Sequence, residues 1–146
     1  MATLKHVVLV DDNDEDIEFH ELVLKDMKVA EKITSLSDPQ KALIFFKDLL
    51  SGDGRTEPFP ELIFLDTLMP KIDGFELLTM LKPLLDANKE HTGATKIFML
   101  GGAYNYESEK FLSNPDYNYF LKGYQVKPLT KAGVADIMRK HFGVSE

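Results

Sequence analysis

The sequence contains no cysteine. That removes a disulfide frame, a thiolate metal site and a cysteine nucleophile from consideration. Long apolar runs are also missing. The first run, Val7-Val8-Leu9-Val10, stops at once on Asp11, too short for a signal-peptide core or a membrane span. Basic excess is lacking as well: 17 Lys and Arg stand against 24 Asp and Glu, a net charge of −7. Such a chain does not neutralise nucleic-acid phosphates, and its charge needs no explanation beyond solubility. The expectation is a cytoplasmic protein with neither a nucleic-acid nor a membrane partner. Internal repeats and low-complexity tracts are absent too, and 146 residues suit one domain spanning 1–146 with no output domain.

What is present is an alternation of short apolar runs with longer amphipathic stretches. Residues 7–10 read as a buried strand. Asp12 or Asn13 can cap a helix running to about Lys28, in which Phe19, Leu22, Val23 and Met27 recur at helical spacing. Residues 33–36 form a weaker strand. Asp38-Pro39 opens a second helix, with Ala42, Leu43, Phe46, Leu49 and Leu50 on its apolar face. A loop over 51–60 carries the breakers Gly52, Gly54, Pro58 and Pro60. Residues 62–65 are a third strand ending on Asp66, and a turn through Pro70 and Gly74 leads to a helix lined by Phe75, Leu78 and Leu81. Pro83 should kink or end that helix. A fourth strand, 96–100, ends on Gly101-Gly102, a short helix falls within 106–113, and a fifth strand lies near 124–126. Thr130 caps the last helix, where Val134, Ile137, Met138 and Phe142 face inward. Apolar strands alternating with helices predict an α/β fold, an open, doubly wound, five-stranded parallel sheet.

Charged residues stand at matching places in that pattern. Asp11 and Asp12 follow the first strand, Asp66 the third and Lys127 the fifth. Open α/β sheets bind ligands outside the carboxyl ends of their strands, so these groups should converge. Three clustered carboxylates repel one another and lose hydration. A divalent cation offsets this, and Mg²⁺ suits hard oxygen ligands. Lys127 adds a fixed positive charge. An aspartate in such a site can attack a phosphoryl group and form an acyl phosphate, assisted mainly by positioning and charge neutralisation. Singly, each residue has a plainer reading: Asp11, Asp12 and Asp66 as helix or turn caps, Lys127 as a surface lysine. Their joint occurrence at three strand ends carries the inference.

Three segments together resemble response-regulator receiver domains over about residues 5–142. Val8-Leu9-Val10-Asp11-Asp12-Asn13 is similar to the acidic opening of that family. The segment from Ile63 through Asp66-Thr67-Leu68-Met69-Pro70 to Gly74-Phe75-Glu76-Leu77 is similar to its phosphoacceptor region. Tyr124-Gln125-Val126-Lys127-Pro128-Leu129 is similar to its final aromatic and Lys-Pro segment. The resemblance implies a flavodoxin-like (βα)5 sheet of strand order 2-1-3-4-5. It implies that Asp66 accepts phosphate from a histidine kinase or histidine phosphotransfer protein in a two-component system or phosphorelay. Asp12 and Asp66 would ligate Mg²⁺ directly, Asp11 chiefly through water, and the backbone carbonyl of Leu68 would complete the protein ligands. Lys127 would pair with Asp66 and then with the phosphoryl group. Met69-Pro70 and Gly74 would shape the following loop, and Tyr124 would be the aromatic that changes rotamer. Such a domain catalyses only its own phosphorylation and dephosphorylation, acts as monomer or weak homodimer, and signals through an output protein that the sequence does not name.

One position departs from the family. Receivers carry Ser or Thr at the end of the fourth strand, and here Gly101 stands there, with no Ser or Thr between Lys96 and Glu107. The nearest later hydroxyl is Ser108. A missing hydrogen bond to a charged group is worth roughly 1.5–3 kcal/mol, comparable to the differences that set two-state populations. The switch is therefore expected to be weaker or differently wired, with backbone amides of Gly101-Gly102 as one substitute. The segment 114–123, with Tyr117, Tyr119 and Phe120, either packs on the sheet edge or forms a docking surface. The alternative function is a phosphorylation-independent pseudo-receiver, for which Gly101 is the best support and the retained charged set the counter-argument. A phosphatase with an aspartyl nucleophile ranks lower, since Leu68 stands where its second Asp belongs. Flavin binding is lower still, because Asp11-Asp12 would repel a phosphate after the first strand.

Overall fold

The computed structural model describes residues 3–51, 59–69 and 71–144. Gly52, Gly54, Pro58 and Pro70, named above as loop and turn residues, lie outside the described residues. The chain forms β1 (Leu4–Val10), α1 (Asp14–Asp26), β2 (Ala30–Leu36), α2 (Pro39–Leu49), β3 (Leu62–Asp66) and α3 (Gly74–Ala87). It continues through a four-residue α4 (Lys89–Thr92), β4 (Lys96–Gly101), α5 (Tyr106–Leu112), β5 (Leu121–Val126) and α6 (Lys131–Phe142). All strand pairs are parallel, in the order β2-β1-β3-β4-β5, which is the flavodoxin-like arrangement.

The unbroken apolar runs follow from covering both sheet faces. Successive strand residues point to opposite sides. Val8, Val10, Ile63, Leu65 and Met99 therefore meet Ala42 and Phe46 of α2 and Leu78 and Leu81 of α3. Val7, Leu9, Leu62, Phe64 and Phe98 meet Leu24 of α1 and Val134, Ile137 and Met138 of α6. Every residue of β3 is buried. The edge strands β2 and β5 are only partly covered and correspondingly more polar.

Helix starts obey local chemistry. Asn13 accepts from the Asp16 amide, Asp38 from the Gln40 and Lys41 amides, Asp73 and Glu76 form a reciprocal capping box, and Thr130 accepts from the Gly133 amide. Three details differ from the sequence reading. Phe19 and Leu22 do not face the core; they are 49% and 60% exposed, while His20 and Leu24 are buried. Two residues from Leu24 is about 200° around a helix, so Leu22 points away from the sheet once Leu24 is seated. Pro83 does not end α3, which runs on to Ala87. Continuing buries Leu85, and the Asn88 side chain and Thr92 hydroxyl donate to the carbonyls of Leu84 and Leu85. β5 begins at Leu121, three residues before its aromatic.

The 114–120 stretch is a series of turns whose rings pack on the protein itself. Phe120 is buried, Tyr117 stands edge-on to Phe111, and Tyr119 edge-on to Phe120. The Tyr119 hydroxyl bonds Asp86 on α3. These rings close the sheet edge over α3.

Gly74 is required by close approach. A Cβ there would lie 2.1 Å from the Asp66 carbonyl oxygen, which is backbone and cannot swing aside. Gly74→Ala should destabilise the protein by about 3 kcal/mol through overpacking. Urea unfolding would show this as a lowered midpoint with an unchanged slope.

Candidate functional site

The ladder hydrogen bonds continue one residue beyond the strands and set the site. The Asp11 amide donates to the Leu36 carbonyl at 3.0 Å, the Thr67 amide to Leu100 at 3.1 Å, and the Lys127 amide to Gly101 at 2.7 Å. The carboxyl ends of β1, β3 and β5 thus come to the same edge of the sheet, staggered by one residue each, with Asp66 paired to Leu100. The Lys127–Pro128 peptide is cis.

At that edge Asp11, Asp12 and Asp66 each place a carboxylate oxygen within 4.8 Å of the others. Asp11 and Asp66 are buried and Asp12 is exposed. Lys127 lies against them. Its Nζ is 2.9 Å from Asp11 Oδ2 and 3.2 Å from Asp66 Oδ1. The Leu68 amide donates to Asp66 Oδ1 at 3.3 Å, and the Asn13 amide to Asp11 Oδ1 at 2.9 Å. The sequence reading named these four charged residues, and the structure brings all four together.

A fifth charged residue joins them that the sequence reading missed. Asp16, on the first turn of α1, is 2.8 Å from Lys127 Nζ. It competes with Asp66 for the lysine. The signal was its spacing, five residues after Asp11, which one helical turn beyond the Asn13 cap brings back to the sheet edge.

The electrostatics follow from burial. Asp66 loses hydration and faces the Asp11 carboxylate, and together these outweigh Lys127, pushing its pKa up to about 7. Burial works against the charge of Lys127, but hydrogen bonds to Asp16 and Asp11 and the nearby Asp66 prevail and hold its pKa above the usual lysine value. His20, buried beside Asp11 and Lys127, is lowered chiefly by desolvation.

The donor set fits a hard divalent cation. Two buried carboxylates and one exposed carboxylate supply oxygen ligands on one side, and exposed Asp12 leaves the other side open to water, as Mg²⁺ prefers. A single lysine does not neutralise four carboxylates, so added positive charge is favoured there.

The remaining named positions gather beside the cluster. Gly101 ends β4, pairing with Val126. The Tyr124 hydroxyl donates to the Gly102 carbonyl at 2.8 Å, and its ring meets Tyr104 edge-on. Ser108 is not turned to the site; it is buried in α5 and bonds the Asn105 cap. The Leu68 side chain is 77% exposed.

No family model matches the sequence, and no curated protein matches it. Solved structures do match. A two-component response regulator from Cytophaga hutchinsonii superposes with a TM-score of 0.79 at 21% identity, covering 98% of this chain and 100% of that one. This chain has the fold of a response-regulator receiver domain. The receiver domain of the histidine kinase CKI1 from Arabidopsis thaliana gives 0.72 at 22%, covering 96% and 91% of the two chains. The CheX-CheY-BeF3-Mg complex from Borrelia burgdorferi gives 0.69 at 21%, covering 97% and 90%. In receiver terms, the charged cluster lies where the carboxyl ends of the strands meet in this fold, and no described helix is long and apolar enough to cross a membrane.

The raised Asp66 pKa has a defined sign. The native state holds this proton more tightly than the unfolded chain does. The associated stability is complete below about pH 4 and is lost as pH rises through about 7. In chelator, Asp66→Asn should therefore gain stability relative to the parent protein as pH rises, by on the order of 2 kcal/mol between about pH 5 and about pH 8. Paired thermal melts at each pH check this; parallel curves would contradict it.

Proposed function

We propose that this protein is a phosphoryl-accepting receiver of a two-component system or phosphorelay, taking phosphate onto Asp66 with Mg²⁺. The observation that carries this reading is the convergence of Asp11, Asp12 and Asp66 within 4.8 Å, with Lys127 Nζ 3.2 Å from Asp66 Oδ1. The neighbour crystallised with BeF3 and Mg, and the neighbour that is part of a histidine kinase, support it.

Asp12 and Asp66 would hold Mg²⁺ directly, Asp11 through water, and the Leu68 carbonyl would complete the protein ligands. Once bound, the ion would supply charge neutralisation for the phosphoryl oxygens. An Asp66 carboxylate oxygen attacks the phosphorus of a phosphohistidine. The new O–P bond forms as the N–P bond breaks, and its electron pair returns to the imidazole nitrogen. Lys127 favours the ionised carboxylate beforehand and then turns from Asp66 toward the phosphoryl oxygens. Thr67 and the Leu68 amide keep the acceptor oriented through their backbone bonds.

The donor is a histidine kinase or histidine phosphotransfer protein. Exposed Phe19 and Leu22 border an open groove of about 470 Å³ between α1 and residues 128–131, next to Lys127. That apolar surface gives a donor protein contact area beside the acceptor. The protein catalyses only reactions of its own Asp66, in the cytoplasm, as monomer or weak homodimer, and it signals by contact with an output protein. Gly101 remains the best support for the pseudo-receiver alternative, and the complete charged set counts against it.

Incubation with Mg²⁺ and acetyl phosphate should add one phosphoryl group by intact mass. Asp66→Asn and chelator should each abolish the gain. Gain in the Asp66→Asn protein would place the acceptor elsewhere.

A further inference from the structure

The glycine at the end of β4 is not an empty place. A Cβ built on Gly101 would lie 2.2 Å from Thr67 Oγ1, 3.1 Å from Thr67 Cγ2 and 2.9 Å from the Tyr124 hydroxyl. The first distance is close to that between atoms two bonds apart in one side chain. The Thr67 hydroxyl thus occupies the volume that a side chain at 101 would need. A side chain at 101 could be seated only if the Thr67 side chain shifted from its present place.

Thr67 is well held. Its amide donates to the Leu100 carbonyl at 3.1 Å and its carbonyl accepts from the Gly74 amide at 3.2 Å. It is buried, and it directly follows Asp66. Branching at Cβ limits its side chain to few rotamers. Its hydroxyl therefore lies over Gly101, near the same point as the Tyr124 hydroxyl, on the residue that follows the acceptor in the chain.

We propose that Thr67, rather than residue 101, supplies the side-chain hydroxyl that hydrogen-bonds the phosphoryl group on Asp66. The hydroxyl has moved from the end of β4 to the end of β3, and Gly101 is the space that this move requires. The inference rests on Asp66 being the acceptor. It also couples the site to Tyr124: when Oγ1 turns to the phosphoryl group, the volume over Gly101 opens to the tyrosine.

Two measurements test this on the full chain. The first is affinity for beryllofluoride with Mg²⁺, a phosphoryl mimic, followed by ¹⁹F NMR. Thr67→Val, which keeps the shape and removes the hydroxyl, should bind about tenfold more weakly, the loss of one hydrogen bond to a charged group. Thr67→Ser should bind like the parent. The double variant Thr67→Ala with Gly101→Ser should recover most of the loss, since the hydroxyl then returns from the other strand. Equal affinity for Thr67→Val and the parent overturns the proposal and leaves the acceptor reading standing. A parent protein that takes up neither beryllofluoride nor phosphate overturns both. The second measurement needs no metal. Gly101→Ala should lower Tm in the parent and lower it less in a Thr67→Ala background, because the crowding atoms are gone. Equal losses in the two backgrounds would show that Thr67 does not fill that space.

Discussion

Two buried carboxylates, Asp11 and Asp66, share one corner of the sheet with a single buried-end lysine. That arrangement is unfavourable unless positive charge is present, because each carboxylate has lost hydration and faces the other. Much of the surrounding structure serves to hold it. Lys127 reaches in from the end of β5, the amides of Asn13 and Leu68 donate to the carboxylates, and Asp16 steadies the lysine from α1. The raised pKa of Asp66 is the signature of an unfinished charge balance.

The sheet makes the corner possible. Central strands buried on both faces fix register, since a slip of one residue would turn apolar side chains to the wrong layer. With register fixed, Asp11 just past β1, Asp66 at the end of β3 and Lys127 just past β5 reach one corner of the sheet. Gly74 lets α3 start against the Asp66 carbonyl, so the acceptor is clamped from the helix side as well. Thr67 lies between these two constraints, tied to β4 by its amide and to α3 by its carbonyl.

Fold and site were legible to different depths. The strands were readable because two-sided burial writes itself as unbroken runs such as Leu62-Ile63-Phe64-Leu65. The caps were readable because Asn13, Asp38 and Thr130 satisfy amides within three residues of themselves. In α1, spacing alone could not say which stripe faces the sheet; Leu24 with His20 takes the inward place, and Phe19 and Leu22 stay exposed. That α3 runs on past Pro83 was not legible, because the burial of Leu85 and the side-chain bonds to the helix end are not local properties. Asp66, Asp11, Asp12 and Lys127 were legible from their places at strand ends. Asp16 was not, since it looks like any acidic residue in a first helical turn.

By itself the sequence determined the layers, the helix starts and the four charged positions, because each depends on periodicity or on neighbours a few residues away. Only the tertiary structure decided what stands against what. That Asp16 takes a share of Lys127 depends on α1 packing beside the end of β5. That Thr67 fills the space over Gly101 depends on the pairing of β3 with β4. In the sequence Gly101 reads as a loss, since its neighbour in space is 34 positions away in the chain. Contacts across strands are set by sheet register and backbone separation, which no local pattern records.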